Sequence, residues 1–201
     1  MLTAELSGKV ERIAFEPGTK VEAGDLLLQQ DISMEQAQLR AAEATVALTK
    51  LELERSSKLL TKKAVAQAKY DSDEAQYKKA VAQIDGIRAT IRKKTIQAPF
   101  DGTLGIRLVN LGQILNEGDP IVSLQTIDPI FVNFSLPQQQ FAQVKPGLKV
   151  RVTADPLSGQ AIEGEITAIS PEVDAATRNI KVQATVANSQ EQIGRAVQQE
   201  C

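Results

Sequence analysis

The spacing of apolar positions changes twice along the chain. Residues 3–31 alternate apolar and polar in short runs broken by Gly and Pro-Gly, the pattern of brief, half-buried strands. From 32 to 94 a 3,4 spacing takes over in a stretch rich in Ala, Gln, Glu, Lys and Leu, residues that favour or tolerate a helix. One line runs through Ile32, Leu39, Ala42, Val46, Thr49, Leu53, Ser56 and Leu60, with a polar interruption at Glu35. A second runs through Tyr70, Asp73, Tyr77, Ala80, Ile84, Ile87 and Ile91. They read as the facing seams of two antiparallel helices, each roughly 45 Å long, with the turn between Leu60 and Val65. The outer faces, with Glu35, Arg40, Lys50, Glu52, Glu54 and Lys58 on one helix and Lys69, Glu74, Lys78, Lys79, Arg88 and Arg92 on the other, are expected to be charged. Each helix then has one apolar stripe, covered by its partner.

Short alternations return at 95–125 and repeat those of the first segment. Gly8, Gly18, Gly24 and Asp25 recur 94 positions later as Gly102, Gly112, Gly118 and Asp119 without a gap. The apolar positions recur in step: Val10 with Leu104, Val21 with Leu115, Leu27 with Ile121. Glu16-Pro17-Gly18-Thr19 places Pro and Gly where a type II turn wants them. A half of three or four short strands cannot bury both faces, so the two copies are expected to close on each other as a pseudo-symmetric sandwich interrupted by the helices.

From 126 to 188 the pattern is again β. Ile130–Leu136, Leu148–Ala154, Ala161–Ile169 and Asn179–Val186 alternate, and Pro137–Val144 reads as a short helix with Pro137 at its first position. Four strands and a short helix suggest a small β-barrel. The residues from 189 to 201 are polar and unpatterned, expected to be disordered or an added tail. The fold class is therefore mixed β and α: a split lipoyl/biotinyl-like sandwich (3–31 and 95–125), an inserted antiparallel coiled-coil hairpin (32–94), and a β-barrel domain (126–188).

Composition narrows the chemistry. Apolar residues make up 42% and aromatics 3%, without Trp, so the cores are aliphatic. A net charge of -2, from 23 basic and 25 acidic residues, argues against a nucleic-acid partner. Histidine is absent, removing the commonest general base and metal ligand. Cys201 is the only cysteine and reads as a cloning remnant, so neither an internal disulfide nor a thiolate cluster is possible. No run of 18 apolar residues is present. Asp71-Ser72-Asp73-Glu74 clusters carboxylates, but on a helix these diverge, and a solvated face is the expectation. We expect no catalytic residue, cofactor or metal.

Sandwiches of two such halves also occur as biotin and lipoyl carriers, which modify a Lys where the halves cross. Here the crossing reads Gln29-Gln30-Asp31, with no Lys, so the swinging-arm role is not expected. The segment Arg55–Asp71 at the far end of the hairpin carries Lys58, Lys62, Lys63 and Lys69 beside Leu59, Leu60 and Val65. It reads equally as a docking site or an ordinary helical turn.

Ser7-Gly8-Lys9-Val10, Pro17-Gly18, Gly24-Asp25-Leu26-Leu27, Ala98-Pro99-Phe100-Asp101-Gly102, Asp128–Phe134 and Val173–Asn179, in this order of parts, resemble the HlyD-like membrane-fusion family. The last two stretches look most like adaptors of resistance–nodulation–division (RND) transporters. The resemblance implies a periplasmic adaptor, anchored to the inner membrane of a Gram-negative bacterium by a segment preceding this chain. Its implied partners are an inner-membrane RND transporter, an outer-membrane channel and further copies of itself in a ring of six, serving efflux of small molecules. An adaptor of an ATP-driven exporter is the alternative machine. The family docks its channel through an Arg, a Leu four residues on, and a Ser eleven residues on from the Arg. Arg55 and Leu59 match; the third position is Ala66, which lacks the hydroxyl.

Overall fold

The computed structural model describes residues 1–153, 161–173 and 177–188; for 141, 142 and 161 it describes the backbone alone. The expected tail 189–201 with Cys201, and Asp174–Ala176 of the barrel motif, lie outside the described residues. The chain divides into two compact units, one spanning Met1–Leu124 and the other beginning at Gln125.

In the first unit, β1 (Leu2–Thr3), β2 (Gly8–Ile13), β3 (Lys20–Val21) and β4 (Leu26–Gln30) precede the helices. The strands β5 (Thr95–Gln97), β6 (Gly102–Leu104), β7 (Ile114–Leu115), β8 (Pro120–Val122) and β9 (Leu124–Gln125) follow them, β9 running across the boundary at Gln125. The two halves are stitched together reciprocally by the backbone. Val10 N–H donates to Gln113 O, and its repeat mate Leu104 N–H donates to Thr19 O. Gly112 N–H donates to Val10 O and Gly18 N–H to Leu104 O; Ala4 N–H donates to Asp119 O and Ala98 N–H to Asp25 O. Pairing of β2 with β7 (Lys9 opposite Ile114) is likewise mirrored by β3 with β6 (Thr103 opposite Lys20). This is the expected pseudo-twofold closure. Gly18 and Gly112 (φ 80° and 79°), and Gly24 and Gly118 (φ 94° and 89°), take the left-handed backbone their turns need. Val10, Leu27, Leu28, Leu104, Leu115, Ile121 and Val122 form the aliphatic core between the halves.

Two helices, α1 (Ser33–Thr61) and α2 (Gln67–Lys94), leave and re-enter this sandwich at neighbouring strands, since β4 and β5 pair with Leu28 opposite Ile96. Their seams are as read from the spacing: Ala42, Thr49, Ser56, Ala80 and Ile84 are buried, and Leu39, Val46, Leu53, Tyr70, Tyr77 and Ile91 are half-buried. Glu35 is not part of a solvated face. It is buried at the root of the hairpin, where its carboxylate meets Lys94 Nζ at 2.5 Å, and that ammonium also donates to Asp31 O. Asp73 departs from the expected solvated cluster in the same way. Its side chain is only 2% exposed and takes a 2.6 Å hydrogen bond from Lys69 Nζ, because the 3,4 spacing turns it toward α1 while Asp71 faces water. Hydrogen bonds from Lys69 first, and then Ser56 across the seam, hold the Asp73 carboxyl below the usual carboxylate range despite opposing desolvation. Gly86 stands inside α2, where glycine costs about 0.5–1 kcal/mol relative to alanine. A Cβ there would meet nothing within 4 Å.

The described residues of the second unit include a four-stranded antiparallel sheet in the order β10 (Ile130–Pro137), β13 (Asn179–Val186), β12 (Ala161–Val173), β11 (Lys149–Thr153). Ile166, Ile180, Val182, Ala184 and Val186 are buried. Pro137 ends β10, opposite Asn179, instead of opening a helix; a 3₁₀ turn follows at Gln138–Gln143, its first N–H bound to Arg178 O.

Lys94→Ala strands the buried Glu35 carboxylate and is expected to cost about 2–4 kcal/mol in urea unfolding. The pair Glu35→Leu/Lys94→Met is expected to recover to within about 1 kcal/mol of the parent. Because the folded-state pKa of Asp73 is lowered, its contribution is present above about pH 4 and lost as pH falls through the folded value. Asp73→Asn is therefore expected to flatten part of the fall in melting temperature measured from about pH 5 down to about pH 2.

Candidate docking site at the hairpin tip

The turn between the helices is built without glycine. Lys63 takes the left-handed conformation (φ 54°) directly after the last residues of α1. Ala64 N–H donates to Leu59 O and Lys63 N–H to Leu60 O, both at 2.8 Å. This is a Schellman ending with Lys where glycine is usual, and it satisfies two of the helix's orphan carbonyls. A turn centred on a lysine gives no signal to a reading that searches for Gly, so Lys63 was not legible as the pivot. It also moves the connection to residues 62–66, slightly later than Leu60–Val65.

Arg55 is exposed and Leu59 half-buried, one turn apart on α1, so both lie on the same flank of the tip. Ala66 sits across the turn at the N-cap of α2, with extended backbone (φ -73°, ψ 147°) and no side-chain cap; its carbonyl accepts from Lys69 N–H. The turn thus joins Arg55 and Leu59 on one helix end to Ala66 on the next.

Cations dominate the surroundings: Arg55, Lys58, Lys62, Lys63 and Lys69 are all exposed. Lys58 in the last turn of α1 complements the helix dipole. Lys69 opposes the dipole at the start of α2, which carries no acidic residue in its first turn, and its ion pair with Asp73 offsets that. Leu60 and Val65 are half-buried rather than projecting, because the seam and the tight turn cover them in part. What the tip presents is therefore a guanidinium and ammonium cluster around a small aliphatic patch at Leu59, a surface suited to acceptor-rich backbone or carboxylate groups on another protein.

Residues 1–126 match the family model described as RND MFP, barrel-sandwich hybrid domain, and residues 129–195 match the CusB-like, beta-barrel domain. An uncharacterized protein of Haemophilus influenzae is 34% identical over 185 residues, covering 92% of this chain and 48% of that protein. Multidrug resistance protein MdtA of Proteus mirabilis is 29% identical over 205 residues, covering 91% and 50%. The chain spans about half the length of the curated relatives it matches. Among solved structures, a putative efflux transporter from Bacteroides eggerthii shares the fold at a TM-score of 0.76 and 23% identity, over 92% of this chain and 57% of that one. A MacA–MexA chimera carrying the Pseudomonas aeruginosa MexA α-hairpin shares it at 0.73 and 21%, over 92% and 75%. On these matches, the chain belongs to the membrane-fusion protein family of RND transport systems.

Proposed function

We propose that this chain is the adaptor core of a tripartite efflux pump, joining an inner-membrane RND transporter to an outer-membrane channel across the periplasm of a Gram-negative cell. The observation that carries the reading is a helical hairpin inserted between the two halves of one sandwich, in a chain of the RND membrane-fusion family. By this reading the sandwich is lipoyl-like, the hairpin is an antiparallel coiled coil, and neither performs catalysis. The domain limits of the reading are 3–31 with 95–125, 32–94 and 126–188. The name of the MdtA relatives supports small organic molecules as the cargo.

Arg55 and Leu59 are the contacts to the channel. Copies assembled in a ring present several tips at once, so weak individual contacts suffice. Position 66 plays another part in this chain. As the N-cap of α2 it is where a hydroxyl would accept a backbone N–H of the first turn, which the Ala66 side chain cannot do. The carrier alternative is disfavoured by the crossing point Gln29-Gln30-Asp31, which has no Lys and where Gln30 is fully buried and donates its amide to Leu6 O.

In the full-length adaptor, Arg55→Asp is expected to weaken each tip contact by about 2 kcal/mol, within the range of interface hot spots. In cells lacking the endogenous gene, wild type restores low dye retention and the variant does not; equal restoration by both would remove the tip assignment. Ala66→Ser is expected to raise the melting temperature, by about 1 kcal/mol of stability, while leaving efflux unchanged. Higher efflux without added stability would assign the position to docking instead.

A further inference from the structure

Local interactions hold the start of α2 only weakly. Its N-cap, Ala66, has no side chain to accept a backbone N–H, and its first turn contains no acidic residue. Lys69 stands where the positive end of the helix dipole repels an ammonium. The turn before it pivots on Lys63 in the left-handed region, a backbone conformation that residues with a Cβ rarely adopt. Arg55 and Leu59 nevertheless have a defined place relative to α2 only if this end of the hairpin is fixed.

Two ties between residues four apart reach back into that first turn, and they differ in kind. Gln67 Nε2 donates to Asp71 Oδ1 at 2.8 Å with both residues exposed, so water competes for the bond. Lys69 Nζ donates to Asp73 Oδ1 at 2.6 Å, where the carboxylate is buried in the seam. That carboxylate also takes a hydrogen bond from Ser56 of α1, itself buried, about 10 Å below the turn. One side chain thus joins the first turn of α2, the body of α2, and α1 at the residue next to Arg55. Packing alone does not call for a carboxylate here: Ala42 and Ala80, both buried, show that small apolar residues fill the same seam elsewhere.

We infer that Asp73 is the positioning residue of the docking tip. Through Ser56 it fixes the rotation of the end of α1, and with it the direction in which Arg55 and Leu59 point. Through Lys69 it orders the first turn of α2 and engages that ammonium, so the cations left to meet a partner are Arg55, Lys58, Lys62 and Lys63. A tip ordered beforehand loses less of its contact energy to ordering on binding. This rests on the docking role proposed for Arg55 and Leu59 and names what holds them in place. Removing the carboxylate strands no charge, because the Lys69 side chain is 60% exposed and the Ser56 hydroxyl keeps Leu53 O at 3.0 Å. The effect of its loss is therefore local to the tip.

Hydrogen exchange read by mass spectrometry on the full chain tests the placement without any partner. Asp73→Ala is expected to raise exchange about tenfold in peptides from 57 to 72 and to leave those from 33 to 45 and from 84 to 94 as in wild type. Asp71→Ala, which removes only the exposed tie, is expected to leave the tip as in wild type. No rise, a rise spread evenly along the hairpin, or an equal rise from Asp71→Ala would overturn the inference. Ser56→Ala with Asp73→Ala makes the layer small and apolar and is expected to melt within a few degrees of wild type. In the full-length adaptor this double variant is expected to restore dye efflux no better than Arg55→Asp, despite its stability. Full restoration would leave Asp73 a structural residue and overturn its part in docking. If exchange at the tip rises as expected while Arg55→Asp leaves efflux intact, the docking reading falls and Asp73 stands as the residue that orders the tip.

Discussion

Neither half of the sandwich can bury its own apolar face, and that constraint organises the first unit. Val10, Leu27 and Leu28 from one half need Leu104, Ile121 and Val122 from the other to leave water. The reciprocal backbone bonds between Val10 and Gln113, and between Leu104 and Thr19, fix how the halves meet. Because β4 and β5 pair as part of the same closure, whatever chain lies between them must leave and return at adjacent points. Two antiparallel helices of nearly equal length, 29 and 28 residues, meet that requirement.

The seam between those helices is held by two kinds of interaction placed at different levels. Small and aliphatic residues such as Ala42, Ala80 and Ile84 fill the middle, while an ion pair, Glu35 with Lys94, stands at the root and Asp73 of α2, paired within its own helix to Lys69, takes a hydrogen bond from Ser56 of α1 toward the tip. Buried ion pairs add little net stability over an apolar seam. They do oppose slippage, since moving one helix by a turn would part Glu35 from Lys94 and leave both charges without partners.

The architecture was legible because it rests on periodicity. A 94-residue repeat with matched glycines identifies the two halves, and the 3,4 spacing identifies the seam down to Glu35 and Asp73. What those two residues do was not legible, since a polar residue at a seam position reads as an interruption until its partner is seen: Lys94 lies 59 positions from Glu35. The turn escaped for a related reason. Lys63 adopts a conformation that sequence rules reserve for glycine, so only the backbone geometry identifies it.

The hairpin also bears on how the chain reaches its fold. Bringing together two halves 94 residues apart carries a length-dependent closure cost of about 4 kcal/mol for a flexible loop. A chain that first forms the five-residue turn after Thr61 and zips upward pairs neighbours at every step. By the time the zipper reaches Ile32 and Lys94, the ends of the two half-sandwiches are already side by side. The helices thus make a long-range assembly kinetically local, and the order of events runs from the tip to the core.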